Sequence, residues 1–399
     1  MNCDSRLFAP VDDLLVLASR VPDPAGDSEA VRAFHMLRYL GARYRVHVGC
    51  FYHPRRELAL LGKIKPLCYE TCFVPHAPLL GNASTPQRPD GTLSHWVARL
   101  LVRQPVRAAL AMGAPAGAYL LPHPSLRRVA DFCAADTGAP VVRGFHPVRR
   151  RRAAALFDLR REIARQFDSL TFGAPLDAAG LAQLGPATAA KSAALLDGVD
   201  ADYFSPHIIQ RSPYPAGVRA LLLVGPLNDG AMIDAAEWFV RQVFAPLRAR
   251  HPALRCYFPG GGREAGIARL TRQDGVIAAG ALGDLRPWLA HAALAVAPLQ
   301  RGVARAEYLR EAMAMQTVLV ASPQALAPLG LANHADVLEA HDASQFIAHI
   351  DAALGNPDGR AQAIAARVRM LADYRWSERL APLCGLLDAA GHMGETSSA

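Results

Sequence analysis

The sequence predicts an α/β protein built from two successive doubly wound parallel sheets. Three observations carry that reading. Short apolar runs alternate with amphipathic helical stretches in both halves of the chain, and this alternation implies crossover connections and parallel strands. A glycine-rich turn follows one of the apolar runs and opens a helix. The chain has 399 residues, 51% hydrophobic and 20% charged, which is enough apolar material for two cores.

In the first half, DLLVLAS at 13–19 is a buried-strand pattern, and a Pro/Gly/Asp loop follows. EAVRAFHMLRYLGA then places Val31, Phe34, Leu37 and Leu40 at helical spacing, and YRVHVGCF alternates as a second strand. Residues 74–92, rich in Pro, Gly, Asn and Ser, read as a loop. HWVARLLVRQP is a helix stopped by Pro105, VADFCAAD a strand, RRAAALFDLRREIARQFD a long helix and SLTFGAP another strand. A helix, DAAGLAQLG, and an Ala-rich stretch lead to LLDGVDADYFSP, the interdomain connection.

The second half repeats the alternation more cleanly. VRALLLVGPL, LRCYFPGGG, GVIAAGAL, LAVAPLQ, TVLVASP and DVLEAH read as strands, separated by helices such as IDAAEWFVRQVFAPLRARHP and AEYLREAMAMQ. The expected domains are 1–195, 196–372 and a terminal helical segment 373–399 that crosses back to the first. Ligands of such sheets bind beyond the carboxyl ends of the strands, so the default site is a central cleft faced by both domains.

Two constellations carry chemistry. The turn Gly260-Gly261-Gly262-Arg263 matches G-x-G-x-x-A and opens a helix, where backbone N–H groups can meet a diphosphate. It also reads as a dinucleotide fingerprint or as a turn that only packs helix on strand. It lies on the second strand of its half, and no acid closes the next strand, which counts against NAD. Glu307 and Glu311, four apart, share one helix face. There they can hold vicinal hydroxyls of a sugar, or form a solvated acidic face beside Arg305 and Arg310.

Residues 1–200 hold 25 Lys+Arg and 17 Asp+Glu, whereas residues 201–399 hold 18 of each. The whole basic excess belongs to the first half and peaks at Arg149–Arg152. An anionic lipid surface, a phosphate-linked substrate or simple solvation of a helix face accounts for it. A nucleic-acid partner is disfavoured, because the run lacks interleaved aromatics. No run of 18 apolar residues occurs, and acids precede the first apolar stretch, so a cytoplasmic protein is expected. Seven scattered cysteines, with only Cys68 and Cys72 close together, fit a reducing compartment; they call for no metal.

The combination of LLDGVDADYFSP, LLLVGPL, GDLRPWLAHAALAVAPL, EAMAM and TVLVASPQAL resembles glycosyltransferase family 4. More narrowly, it resembles the bacterial glycosyltransferases of exosortase exopolysaccharide systems. The resemblance implies the GT-B architecture and a retaining transfer from a nucleoside-diphosphate sugar, used as co-substrate with no cofactor. The implied acceptor is a polyprenyl-pyrophosphate-linked or other saccharide, reached from the inner face of the plasma membrane. The donor would meet Gly225, Asn228, Gly260, Gly261, Gly262, Arg263, Leu282, Arg286 and Glu311, with Glu311 on the nucleotide ribose. The acceptor would meet Ser28, Glu29, Arg32, Asp131 and Asp136.

The chain departs from the family pattern at several polar positions. Val303 stands where the first glutamate of E-x7-E belongs, Tyr308 where a basic residue is common, and Gln316 where a glycine usually follows EAMAM. Ser28-Glu29-Ala30 replaces Gly-Asp-Lys, and Ala134 replaces an acid. Each lost charged hydrogen bond costs about 1.5–3 kcal/mol. Arg301, Arg305 and Glu307 are the expected compensating catalytic groups, beside Glu311. The alternative is a catalytically weak relative that binds a sugar nucleotide or a partner without turnover.

Overall fold

Seven parallel strands form the first sheet: β1 (Asp13–Ala18), β2 (Arg45–Tyr52), β3 (Glu70–Pro75), β4 (Ala108–Met112), β5 (Arg127–Phe132), β6 (Ser169–Phe172) and β7 (Ser192–Ala194). Their order is β3-β2-β1-β4-β5-β6-β7. Six more parallel strands form the second: β8 (Arg219–Leu223), β9 (Leu254–Phe258), β10 (Val276–Ala278), β11 (Leu294–Ala297), β12 (Leu319–Ala321) and β13 (Leu338–Glu339). Their order is β10-β9-β8-β11-β12-β13. This computed structural model describes residues 12–24, 26, 28–75, 90–132, 147–173, 178–209, 211–225, 227, 230–259, 265–280, 282–301, 305–330, 335–356 and 361–388. The chain divides into one unit of Met1–Leu196 with Leu380–Ala399, and a second of Asp197–Arg379.

All six strands expected in the second half are present, whereas β3, β4 and β7 were not expected in the first. β4 shows why. It carries three alanines and no β-branched residue, so its local preference is helical. It pairs with β1 on one side and β5 on the other. Ala109, Leu110 and Ala111 are fully buried, and small side chains suit a strand covered on both faces. β3 is an edge strand that opens on Glu70 and ends on Pro75, so it lacks the apolar run that marks its neighbours.

The segment after Leu196 threads the second unit together. Gly198 passes so close to the 374–376 backbone that a Cβ would lie 2.8 Å from the Trp376 nitrogen. Val199 pairs with Arg375, its N–H donating to the Tyr374 carbonyl at 2.7 Å. The buried Arg367 guanidinium donates to the carbonyls of Phe204 and Ala314, to that of Ala201 at 3.4 Å, and to the Ser205 hydroxyl at 3.3 Å. The conspicuous GVDADYFSP string is therefore a clasp around neighbouring helices.

In the first unit, the end of helix Trp376–Asp388 is held by two long-range bonds. Tyr44 donates to Asp388 at 2.6 Å, and Arg127 donates to the Leu386 carbonyl at 2.5 Å. Leu380, Leu383 and Leu387 are buried along it. Among the described residues, no helix is long and apolar enough to cross a membrane.

Helix Ala306–Ala314 ends in a two-bond left-handed cap. The Gln316 N–H donates to the Met313 carbonyl at 3.1 Å, and the Thr317 N–H to the Ala312 carbonyl at 3.0 Å. The cap residue is Gln316 with φ +54, a conformation in which a Cβ is strained. The expectation of a missing glycine at this position thus acquires a physical cause. Gln316→Gly should stabilise the second unit by about 0.5–1 kcal/mol, the relief of strain exceeding the extra chain entropy. A thermal melt should show a rise of roughly 1–4 °C.

Candidate functional site

In each sheet the strand order reverses once, between β1 and β4 and between β8 and β11. Crevices open at such reversals, beyond the carboxyl ends of the strands. At the second reversal the Val224 N–H donates to the Val296 carbonyl at 3.0 Å, extending the pairing to the strand ends. Gly225 follows with φ +111, and a Cβ there would stand 3.2 Å from Met232 Cε. Glycine therefore meets both a backbone and a space requirement at this turn.

Across the reversal, β11 leads through residues 298–301 towards helix Ala306–Ala314. Ser322, just past β12, fixes this exit. Its N–H donates to the Ala297 carbonyl at 3.0 Å and its hydroxyl to the Leu299 carbonyl, while the same oxygen accepts the Ala325 N–H at 3.3 Å. Sequence reasoning missed Ser322. An N-cap serine before Pro323 was the available signal.

Glu307 and Glu311 lie on that helix in contrasting surroundings. Arg305 Nε approaches Glu307 Oε1 to 2.9 Å. Glu311 is half-buried, and among the described residues its carboxyl makes no side-chain hydrogen bond or ion pair. Burial pushes it from its usual 4.5 up to about 8; Glu307 adds to the rise, and Arg310 and Arg305 oppose it. A half-buried carboxyl to which the described residues offer no partner is a candidate for ligand contact. Arg310 is buried and faces Asp197 at 3.5 Å. Arg301 is 82% exposed and lies 3.5 Å from Asp234. The structure thus directs Arg301 and Arg305 to different carboxylates.

Leu282 and Arg286 border the turn before helix Arg286–His291, and Leu282 is half-buried. Asp284 binds Arg286 through Nε at 2.9 Å and Nη2 at 2.6 Å, and the Tyr203 ring lies 3.8 Å from the guanidinium. The Arg286 side-chain bonds and salt bridge hold Asp284 below the ordinary carboxylate range. Arg286 therefore secures this turn to the clasp.

In the first unit, Arg32 and Asp131 meet each other. Arg32 donates to Asp131 at 2.8 and 2.6 Å and to the Leu195 carbonyl at 2.7 Å, and Thr171 donates to Asp131 at 2.6 Å. Both charged residues are at least 95% buried. They tie helix Ser28–Gly41 to β5, β6 and the chain after β7. Ser28 and Glu29 open that helix, and Glu29 approaches Arg20 at 3.6 Å. Gly113, with φ +88, lies against Ser19 and Glu29 at the β1–β4 reversal. Ser19, which sequence reasoning passed over, donates to the Met112 carbonyl at 3.0 Å and accepts the Ala116 N–H at 3.1 Å. Asp136, Asn228, Gly260, Gly261, Gly262 and Arg263 lie outside the described residues, as does Val303.

Two outcomes are expected of these geometries. Asp131→Ala should cost about 3–5 kcal/mol by leaving Arg32 charged and unpaired, measured by denaturant unfolding. An unchanged midpoint would remove the structural role. Glu311 has the opposite sign. Its folded-state affinity for a proton exceeds that of the unfolded chain, so stability falls as pH rises from about 4.5 to about 8. Glu311→Gln should therefore gain on the parent in melting temperature across that interval, with the largest advantage near its upper end.

The comparisons with known proteins agree with this fold. Residues 218–356 match the sequence family described as "Glycosyl transferases group 1". Sucrose-phosphate synthase from Thermosynechococcus elongatus superposes with a TM-score of 0.68 at 17% identity, over 95% of this chain and 99% of that one. A glycosyltransferase from Rickettsia africae ESF-5 gives 0.67 at 12% identity, over 95% and 98%. Anabaena HepE, solved in complex with UDP and glucose, gives 0.63 at 13% identity, over 94% and 98%. No curated protein sequence matches. The two parallel-sheet units have the GT-B fold shared by these structures. Residues 218–356 thus match the glycosyl transferases group 1 model, and together with the fold this supports a transferase.

Proposed function

We propose that this chain transfers a sugar from a nucleoside-diphosphate sugar to a saccharide acceptor, with Glu311 receiving the nucleotide ribose. The observation that carries the reading is the half-buried Glu311 carboxyl on the helix after β11, without a partner among the described residues and raised to about 8. Two vicinal hydroxyls would supply the donors it lacks. Gly225 gives the diphosphate room to approach the backbone, and Arg301 and Arg305 supply cations for a departing diphosphate. The structural relative HepE has been solved with UDP and with UDP-glucose, which supports a nucleotide-sugar donor.

The finer reading rests on the family-4 resemblance. It assigns a retaining transfer through an oxocarbenium-like state, stabilised on the leaving diphosphate rather than by a carboxylate pair. No resident cofactor or metal is called for. Ser28 and Glu29, beside the β1–β4 reversal, are assigned to the acceptor, and the Arg32–Asp131 pair supports the helix that presents them. The acceptor is a lipid-linked saccharide in exopolysaccharide synthesis, met at the inner face of the plasma membrane, and the +8 first half favours that surface.

A melting screen of UDP-, GDP- and ADP-sugars tests the donor. A sugar nucleotide at about 100 times its Kd stabilises by roughly 2.7 kcal/mol, several degrees for a unit of this size. No shift with any of the three would sink the proposal. Ribose hydroxyls favour the ionised carboxylate, so binding expels a proton below pH 8. Affinity should therefore climb with pH up to about 8, by at most about tenfold per unit. Glu311→Gln should flatten that profile and weaken binding; a parental profile in the variant would reassign Glu311.

A further inference from the structure

One segment of the first unit has no part in the site described above. Residues 53–67 join β2 to the edge strand β3 and contain the short helix Leu58–Ile64. The chain has three lysines, Lys63, Lys65 and Lys191, and two of them flank this helix's end. Arg55 and Arg56 precede its start. All four cations are exposed, and among the described residues none makes an ion pair or side-chain hydrogen bond. The single acid of the segment, Glu57, accepts the His53 N–H at 2.7 Å.

The helix between these cations is apolar yet largely uncovered. Leu58 is 61% exposed, Ala59 is exposed, Leu60 and Leu61 are half-buried, and Ile64 is its one buried residue. Apolar helix residues that the core does not use, ringed by unpaired cations, have the composition of an interfacial element. Arg99, Arg107, Arg150, Arg151, Arg152 and Arg161 of this unit are likewise exposed and make no ion pair or side-chain hydrogen bond among the described residues; what sets 55–65 apart is that its four cations stand beside an exposed apolar helix.

We infer that the 53–67 segment is the face by which this protein docks on an anionic lipid surface, Leu58 entering the headgroup region while Arg55, Arg56, Lys63 and Lys65 neutralise acidic lipid. The inference rests on the proposed membrane-side acceptor and names the surface that reaches it. Charge complementarity selects the occupant, since a neutral surface gives four unpaired cations nothing to bind. The absence of an ordered array of aromatic platforms between the cations disfavours single-stranded nucleic acid.

Co-sedimentation of the full chain with phosphatidylcholine vesicles, with and without about 30% phosphatidylglycerol, is the test. Binding should require the anionic lipid and fade in about 0.5 M salt. Each cation contributes about fivefold in partitioning, so R55Q/R56Q and K63Q/K65Q should each lower it about 25-fold. Leu58→Gln should lower it several-fold without changing the salt dependence. All variants should keep the parental melting temperature and the parental nucleotide-sugar shift, because the substituted groups are exposed and belong to the first unit. R150Q/R151Q/R152Q, on another helix, should bind vesicles more nearly as the parent does. Parental partitioning in both double variants, with loss in the triple variant, overturns the inference and leaves the membrane reading intact. Absence of parental binding to anionic vesicles overturns both. Tighter binding to a labelled oligonucleotide than to vesicles overturns the choice of partner.

Discussion

The second unit depends on one buried guanidinium. Arg367 reaches from helix Ala361–Asp373 to carbonyls of the 201–205 loop and to Ala314, the last residue of helix Ala306–Ala314. Burial pulls its pKa down, yet a guanidinium starts so high that it stays charged. A charged donor fork inside a protein must be answered by acceptors, and here the answer comes from carbonyls that no strand or helix would otherwise satisfy. The geometry of the helix bearing Glu307 and Glu311 is thereby fixed at its far end. Its near end is set by the β11 exit that Ser322 pins.

That rigidity explains how Glu311 can persist as a destabilising residue. A carboxyl raised towards 8 opposes folding at neutral pH, and a flexible helix would turn it to solvent. Arg310, the adjacent residue, faces Asp197 instead of neutralising it. Arg305, the other nearby cation, is drawn to Glu307. The fold therefore keeps positive charge close enough to moderate Glu311 without pairing it. Stored cost of this kind is common where a group must be ready for a ligand.

Much of the fold was legible because burial on both faces of a parallel strand leaves a continuous apolar run. LLLV, LAVA and TVLVA announce β8, β11 and β12 in that way. β4 stayed hidden since its alanines answer to packing between β1 and β5, not to local preference. The shared helix of Glu307 and Glu311 was legible from their spacing. Pairings were illegible where a partner lay far along the chain. Arg32 and Asp131 are 99 positions apart, and residue type alone cannot distinguish a charge that binds a ligand from one that binds its own fold. Arg286 has a nearer partner: Asp284, two residues earlier, binds its guanidinium.

The two strand-order reversals consequently differ in kind. At the first, the buried Arg32–Asp131 pair is mutually satisfied, and Ser19 spends both roles of its hydroxyl on Met112 and Ala116. What remains for a ligand there is shape and the half-buried opening of helix Ser28–Gly41. At the second, one carboxyl is half-buried beside cations and, among the described residues, has no partner. A hydroxyl-rich, diphosphate-bearing ligand complements the second arrangement far better than the first, since it brings both the donors and the negative charge that are wanting.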